Sequence, residues 1–277
     1  MLSLETVYDL LSVVYEPMFM RRAMVGLFLL SLAVSGAGAL AISRRMAFFP
    51  DTVGHSALAG LALGLVVGLD PRIAVILFGV ALGLFIVFLT RRAKISSDTS
   101  LALVFSGAVA LGLALISRNP RNAAGLTRWL MGDILTLGDT EILALFGLDV
   151  LAFAIFAFHY NRLILSSVFP TGLVGRAWVD YLFGVFLAVV SVLAVQAVGV
   201  LLATALLVTP AATGRILAKT GGSFFWLALL FSIVSGQLGL WISFQPGINA
   251  SAGATVVLTG LAFLALACLY RRLVGRV

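Results

Sequence analysis

Apolar stretches about as long as a bilayer is thick follow one another along this chain. They fall at about 22–43, 51–69, 72–90, 99–117, 140–160, 179–198, 199–217, 223–244 and 253–270. A hydrocarbon core some 30 Å thick takes roughly 20 helical residues. A soluble core does not need such runs over and over. Read as helices, they give an all-α polytopic membrane protein of about eight to nine transmembrane helices. The run at 199–217 leaves the count open, because it could dip in and return. Composition agrees, with 62% of the 277 residues hydrophobic and 10% charged. The longest polar gap, 118–139, is about 22 residues and too short to fold alone. The reading is therefore one transmembrane domain over 1–277. Residues 1–20 carry Glu5, Asp9 and Glu16 and lack a basic n-region. They read as an interfacial helix rather than a cleaved signal peptide.

The formal charge of +7 does not call for nucleic acid. Lys and Arg gather in cytoplasmic loops of membrane proteins. With the N-terminus outside, twelve of the 18 Lys and Arg fall inside: Arg44, Arg45, Arg91, Arg92, Lys94, Arg162, Arg176, Arg215, Lys219, Arg271, Arg272 and Arg276. Six fall outside: Arg21, Arg22, Arg72, Arg118, Arg121 and Arg128. The bias puts the N-terminus out and the C-terminus in, although Arg21 and Arg22 run against it. Cys268 is the single cysteine, which excludes an intrachain disulfide and a cysteine-only metal cluster.

Chemistry concentrates in Asp51-Thr52-Val53-Gly54-His55, at the start of an apolar run. A carboxylate beside hydrocarbon is expensive and calls for a partner or a task. On a helix, residues four apart share a face, so Asp51 and His55 would present an oxygen and a nitrogen to one point. That is half of a site for a divalent transition metal. The alternatives are an internal hydrogen-bonded pair, or Asp51 as an N-cap after Pro50. Only His55 and His159 exist, so a metal would need acids, carbonyls, water or a second subunit besides. His159 reads as an interfacial residue. Asp149 falls mid-span, as either an intramembrane polar site or a helix–helix contact.

Ser56, Gly60, Gly64 and Gly68 form a stripe of small residues that suits close helix packing. Pro210 lies within the seventh run and can kink it. No enzyme signature is present. Gly-Arg-Ile-Leu-Ala-Lys-Thr at 214–220 has Ala218 where a phosphate loop needs glycine, and it does not follow a strand. If ATP drives this protein, another chain binds it.

Four motifs together resemble a family. Arg44-Arg45-Met46-Ala47-Phe48-Phe49 precedes the Asp51–His55 block. Ser97-Asp98-Thr99 follows the third run, and Met131-Gly132-Asp133-Ile134-Leu135 lies in the polar gap. Gly199-Val200-Leu201-Leu202 leads to Pro210-Ala211-Ala212-Thr213. In this order they are similar to the permease subunits of manganese/zinc/iron-type ABC importers. The resemblance covers about Arg44 to the C-terminus. It implies a fold like that of cobalamin-type importer permeases and a multi-pass protein of the bacterial cytoplasmic (inner) membrane. It implies a second permease copy, most simply a homodimer, with cytoplasmic ATPase subunits and an extracytoplasmic metal-binding protein. It places Asp51 and His55 on the ion route. It makes 166–180, with Gly172, Leu173 and Arg176, the cytoplasmic ATPase-docking segment. Asp149 and the acidic N-terminal segment have no counterpart in the family pattern.

The functional expectation is the transmembrane subunit of an ATP-driven importer for Zn, Mn or Fe, working by alternating access. The binding protein would dock outside near 118–139 and 245–253. No cofactor is bound permanently, and the chain is not itself an enzyme. The rival is a self-sufficient, proton-coupled metal transporter using Asp149. A third reading is a membrane scaffold that transports nothing.

Overall fold

Each apolar run becomes one helix. The computed structural model describes residues 18–118, 132, 134–168, 177–245 and 250–274. Among these lie α1 (Met18–Ser43), α2 (Phe49–Val67), α3 (Pro71–Arg92), α4 (Ser97–Arg118), α5 (Asp139–Val168), α6 (Ala177–Val198), α7 (Val200–Leu217), α8 (Gly221–Ser243) and α9 (Ala252–Val274), with a 3-10 turn at Ile134–Thr136. All nine are long and apolar enough to cross a membrane. The expected interfacial helix at 1–20 lies outside the described residues, except that Met18 to Met20 open α1.

Local chemistry sets the ends. The Asp70 carboxylate accepts from the Arg72 amide at 2.8 Å, with Pro71 in the first turn of α3. Ser96 does the same for Thr99 at the start of α4. Thr220 and Ser223 close a reciprocal capping box at α8. Gly68 ends α2 in the left-handed conformation, so it is a cap rather than part of the packing stripe. Gly60 and Gly64 do pack, against Val75, Phe78 and Ala74 of α3.

Four helices form the centre. Half or more of each spanning window of α1, α2, α6 and α7 is buried, against a third or less for the other five. α1 packs on α5, α6, α7 and α8, and α2 packs on α3, α4, α6 and α7. The outer helices turn Phe153, Phe158, Trp226 and Leu258 outward. That surface suits lipid, because a bilayer sets no penalty on exposed hydrocarbon.

α7 is a continuous 18-residue helix that runs through Pro210. At 1.5 Å per residue it is about 27 Å long, and it is long and apolar enough for a span. A single residue, Gly199 at φ +83°, separates it from α6. That backbone angle is one L side chains rarely adopt.

The two ends of the bundle differ. At one, Asp180 takes Arg44 at 2.8 Å and Arg91 at 3.2 Å, and the Arg44 guanidinium lies 4.2 Å from the centre of the Phe183 ring. Ala39 and Ile42 of α1 pack there with Ala211, Ala218 and Phe224, which brings the α7–α8 turn to this same end. At the other end, Arg22 meets Asp139 at 2.9 Å and Arg72 meets Glu141 at 3.2 Å. The helix ends therefore group as the basic-residue count expects. Arg22, which ran against the count, has a carboxylate to answer it. With Cys268 replaced by Ser, a cysteine at Lys94 should react with a membrane-impermeant maleimide only from the cytoplasm, and one at Thr140 only from outside. Labelling from the opposite side at both positions would invert the orientation.

Candidate metal site

Asp51 sits in the first turn of α2, not at its cap. The cap is Phe48, whose side chain makes no capping bond, and Pro50 occupies the first turn. The reading of Asp51 as an N-cap is thereby corrected. With Pro50 inside the turn the helix begins earlier, and the carboxylate is left free for another partner. Thr52 bonds back to the Phe48 carbonyl at 2.9 Å and points away. Val53 is buried against α3, where a Cβ on Gly79 would meet it at 3.5 Å.

Asp51 Oδ1 and His55 Nε2 lie 3.5 Å apart on one helical face. The distance is long for a hydrogen bond and leaves lone pairs available. It is close to what a shared cation needs. Two ligand atoms at 2.0–2.1 Å from one ion in tetrahedral geometry stand about 3.4 Å apart. The side chains are 38% and 45% exposed.

The sequence places this pair at the beginning of an apolar run, which suggests a membrane surface. The structure places it deeper. The His55 ring meets Phe105 edge-on at 5.8 Å, and Phe105 lies near the middle of α4. Val53 faces Gly79, well inside α3. A Cβ on Gly54 would touch Val195 and Val200 at 3.1 Å, on either side of the α6–α7 turn. A Cβ on Gly132 would overlap the backbone of Val198 and Gly199. Three motifs far apart in sequence thus meet where α2 crosses that turn. The glycines are what lets the backbones approach.

Residues 16–270 match the sequence profile of the ABC 3 transport family. The chain belongs to the ABC 3 transport family. It is 30% identical over 247 residues to the manganese import system permease protein ScaB of Streptococcus gordonii, covering 87% of each chain. It is 29% identical over 248 residues to the high-affinity zinc uptake system membrane protein ZnuB of Haemophilus influenzae, covering 88% of this chain and 94% of that one. Its fold matches a chain of PsaBC from Streptococcus pneumoniae, solved in complex with a Fab. The TM-score is 0.77 at 28% identity, over 94% of this chain and 95% of that one. The motif-based assignment to metal ABC importer permeases is borne out, and with it the helical multi-pass fold.

Other expected residues of this ABC 3 chain stand apart from the pair. Asp149 faces the α1 backbone at Ala33, with both oxygens out of solvent. α5 packs on α1 and α6 rather than on α2, so Asp149 is not part of the Asp51/His55 constellation. His159 packs edge-on to Trp178 at 5.5 Å. Gly172, Leu173 and Arg176 lie outside the described residues. Among the described residues, no group of three or more His, Cys, Asp or Glu side chains converges. Among the described residues, Asp51 and His55 are the two such side chains brought together at this place.

Proposed function

We propose that this chain is the transmembrane permease of an ATP-driven importer for a first-row divalent metal, with the ion passing Asp51 and His55. One observation carries the reading. A carboxylate and an imidazole stand side by side and partly exposed, level with the middle of the neighbouring helices. Facing lipid there would cost several kcal/mol, so they face a polar route or a second chain. The pair is half a coordination shell, and water, carbonyls or a second permease copy complete it. Nitrogen and carboxylate together suit Zn²⁺ or Mn²⁺ and do not choose between them.

ATP hydrolysis then belongs to cytoplasmic partner subunits, and delivery to an extracytoplasmic metal-binding protein. The names of ScaB as an import system permease protein and of ZnuB as an uptake system membrane protein support this assignment. The test is radiometal uptake into proteoliposomes holding permease, ATPase and binding protein. Uptake should require ATP. Uptake by the permease alone, driven by a pH gradient, would reject this reading in favour of proton coupling through Asp149. Unlabelled Zn²⁺ and Mn²⁺ as competitors would name the cargo.

The ATPase is expected to dock on 166–180. Pro170, Gly172 and Gly175 fall in this stretch of the sequence, whose last residue is Asp180. Cysteines at Leu173 or Arg176 should cross-link to the ATPase. Cross-links at Lys94 with none at 173 or 176 would move the dock elsewhere.

A further inference from the structure

At the basic end, a cavity of about 410 Å³ opens between the α7–α8 turn and the last turns of α9. Arg215, Lys219 and Arg271 line it, with Thr220 and Phe224, and among the described residues no carboxylate does. Two of the cations are held in place. The Arg215 guanidinium lies 5.6 Å from the Phe224 ring centre, and Arg271 donates to the Ile216 carbonyl at 3.3 Å. Among the described residues, none of the three has an acidic partner within 4.0 Å, whereas Arg22, Arg44, Arg72 and Arg91 all do. Three like charges around one cavity repel one another unless an anion joins them. Val274 and Tyr270 of α9 are exposed on the flank next to Arg271, and Leu266, Leu269 and Leu273 on the face beyond it. A charged mouth bordered by an outward apolar face has two halves, one for a headgroup and one for acyl chains.

We infer that this cavity binds the phosphodiester headgroup of an anionic phospholipid of the cytoplasmic leaflet, with the acyl chains lying along α9. Basic pockets between transmembrane helices are suited to such headgroups. The site is separate from the ion route and does not depend on which metal is carried. It gives the positive charge near the C-terminus a specific ligand as well as a role in orientation.

The test uses the full-length permease with its ATPase subunits, in detergent. Native mass spectrometry counts retained phosphatidylglycerol or cardiolipin, with phosphatidylcholine as the neutral control. The unaltered protein should retain the anionic lipids preferentially. Arg215→Gln, Lys219→Gln and Arg271→Gln should each weaken retention roughly 5-fold, the strength expected of one cation near an anionic leaflet. Arg215→Lys and Arg271→Lys should keep most of it, which separates charge from misfolding. Lys94→Gln, a cation remote from the cavity, should change nothing. Equal retention of phosphatidylcholine, or no loss in the three Gln variants, would overturn the inference. So would displacement of the lipid by millimolar inorganic phosphate, which would make this a site for a free anion. Loss of the ATPase subunits with lipid retention unchanged would make it a protein dock instead.

Discussion

Asp51→Ala and His55→Ala should each lower metal uptake by roughly 100-fold or more, while the permease still inserts and binds its ATPase. Changing even the outer partners of metal ligands costs 10–100-fold, and these residues are placed to touch the ion. Both side chains are partly exposed, and neither packs in the core. Removing them leaves α2 held through Val53, Gly60 and Gly64 on α3. Asp51→Asn should fail nearly as badly, because the amide keeps the shape and loses the charge that offsets a divalent cation. Val53→Ala is the control. It removes two buried methyl groups, about 2 kcal/mol of packing, on the face turned away from the pair, so uptake should stay within a few-fold. The measurement is ATP-dependent radiometal uptake in proteoliposomes, beside co-purification of the ATPase. Near-normal uptake by both alanine variants would make the pair structural and turn attention to Asp149.

How far the sequence reached follows from the range of each interaction. The spans were legible because hydrocarbon acts on every residue of a segment, so the signal adds up over about 20 positions. The Asp51/His55 pair was legible because a helix fixes what lies four residues on. Its depth was not. An acid at the start of an apolar run looks like a surface residue until α3 and α4 are seen to extend past it. Nor could the meeting of Gly54, Gly132 and Gly199 be read, since 145 residues separate the first from the last. The signal was there in part: three of the four family motifs each carry one of these glycines. Segment 214–220 was read only as a failed phosphate loop. Its Arg215 and Lys219 become part of a cavity when α9 brings Arg271 beside them, 55 residues after Ile216. Asp180, an ordinary acid in the sequence, became conspicuous only when two arginines, from the α1–α2 turn and the last turn of α3, closed on it.

Asp180→Ala should be the most destabilising single change among the charged residues described. Arg44 is 9% exposed, and its guanidinium is wedged between Phe183 and Asp180. Burial lowers its pKa from the usual value, and Asp180 is the chief group opposing that shift. Removing one partner of a buried ion pair leaves the other charge without compensation, at about 3–5 kcal/mol. Asp180 is 27% exposed, so water can reach the gap and the lower figure, about 3 kcal/mol, is the one to expect. Arg91 adds to the loss, because it shares the same carboxylate at 3.2 Å and would then face Arg44 with nothing between them. For a chain of this size that is an apparent unfolding midpoint lower by roughly 6–10 °C, read by thermal scanning in detergent. Asp139→Ala, whose partner Arg22 sits at an exposed end, should leave the midpoint almost unchanged. Asp180→Glu should recover much of the loss. In the double variant Arg44→Ala with Asp180→Ala, the loss should be smaller than the sum of the two single losses, since no buried charge is then stranded. An Asp180→Ala protein as stable as Asp139→Ala would show that the cluster holds nothing together. The cluster ties the α1–α2 and α3–α4 turns to the residue that closes 166–180, so loosening it should also weaken capture of the ATPase at the proposed dock.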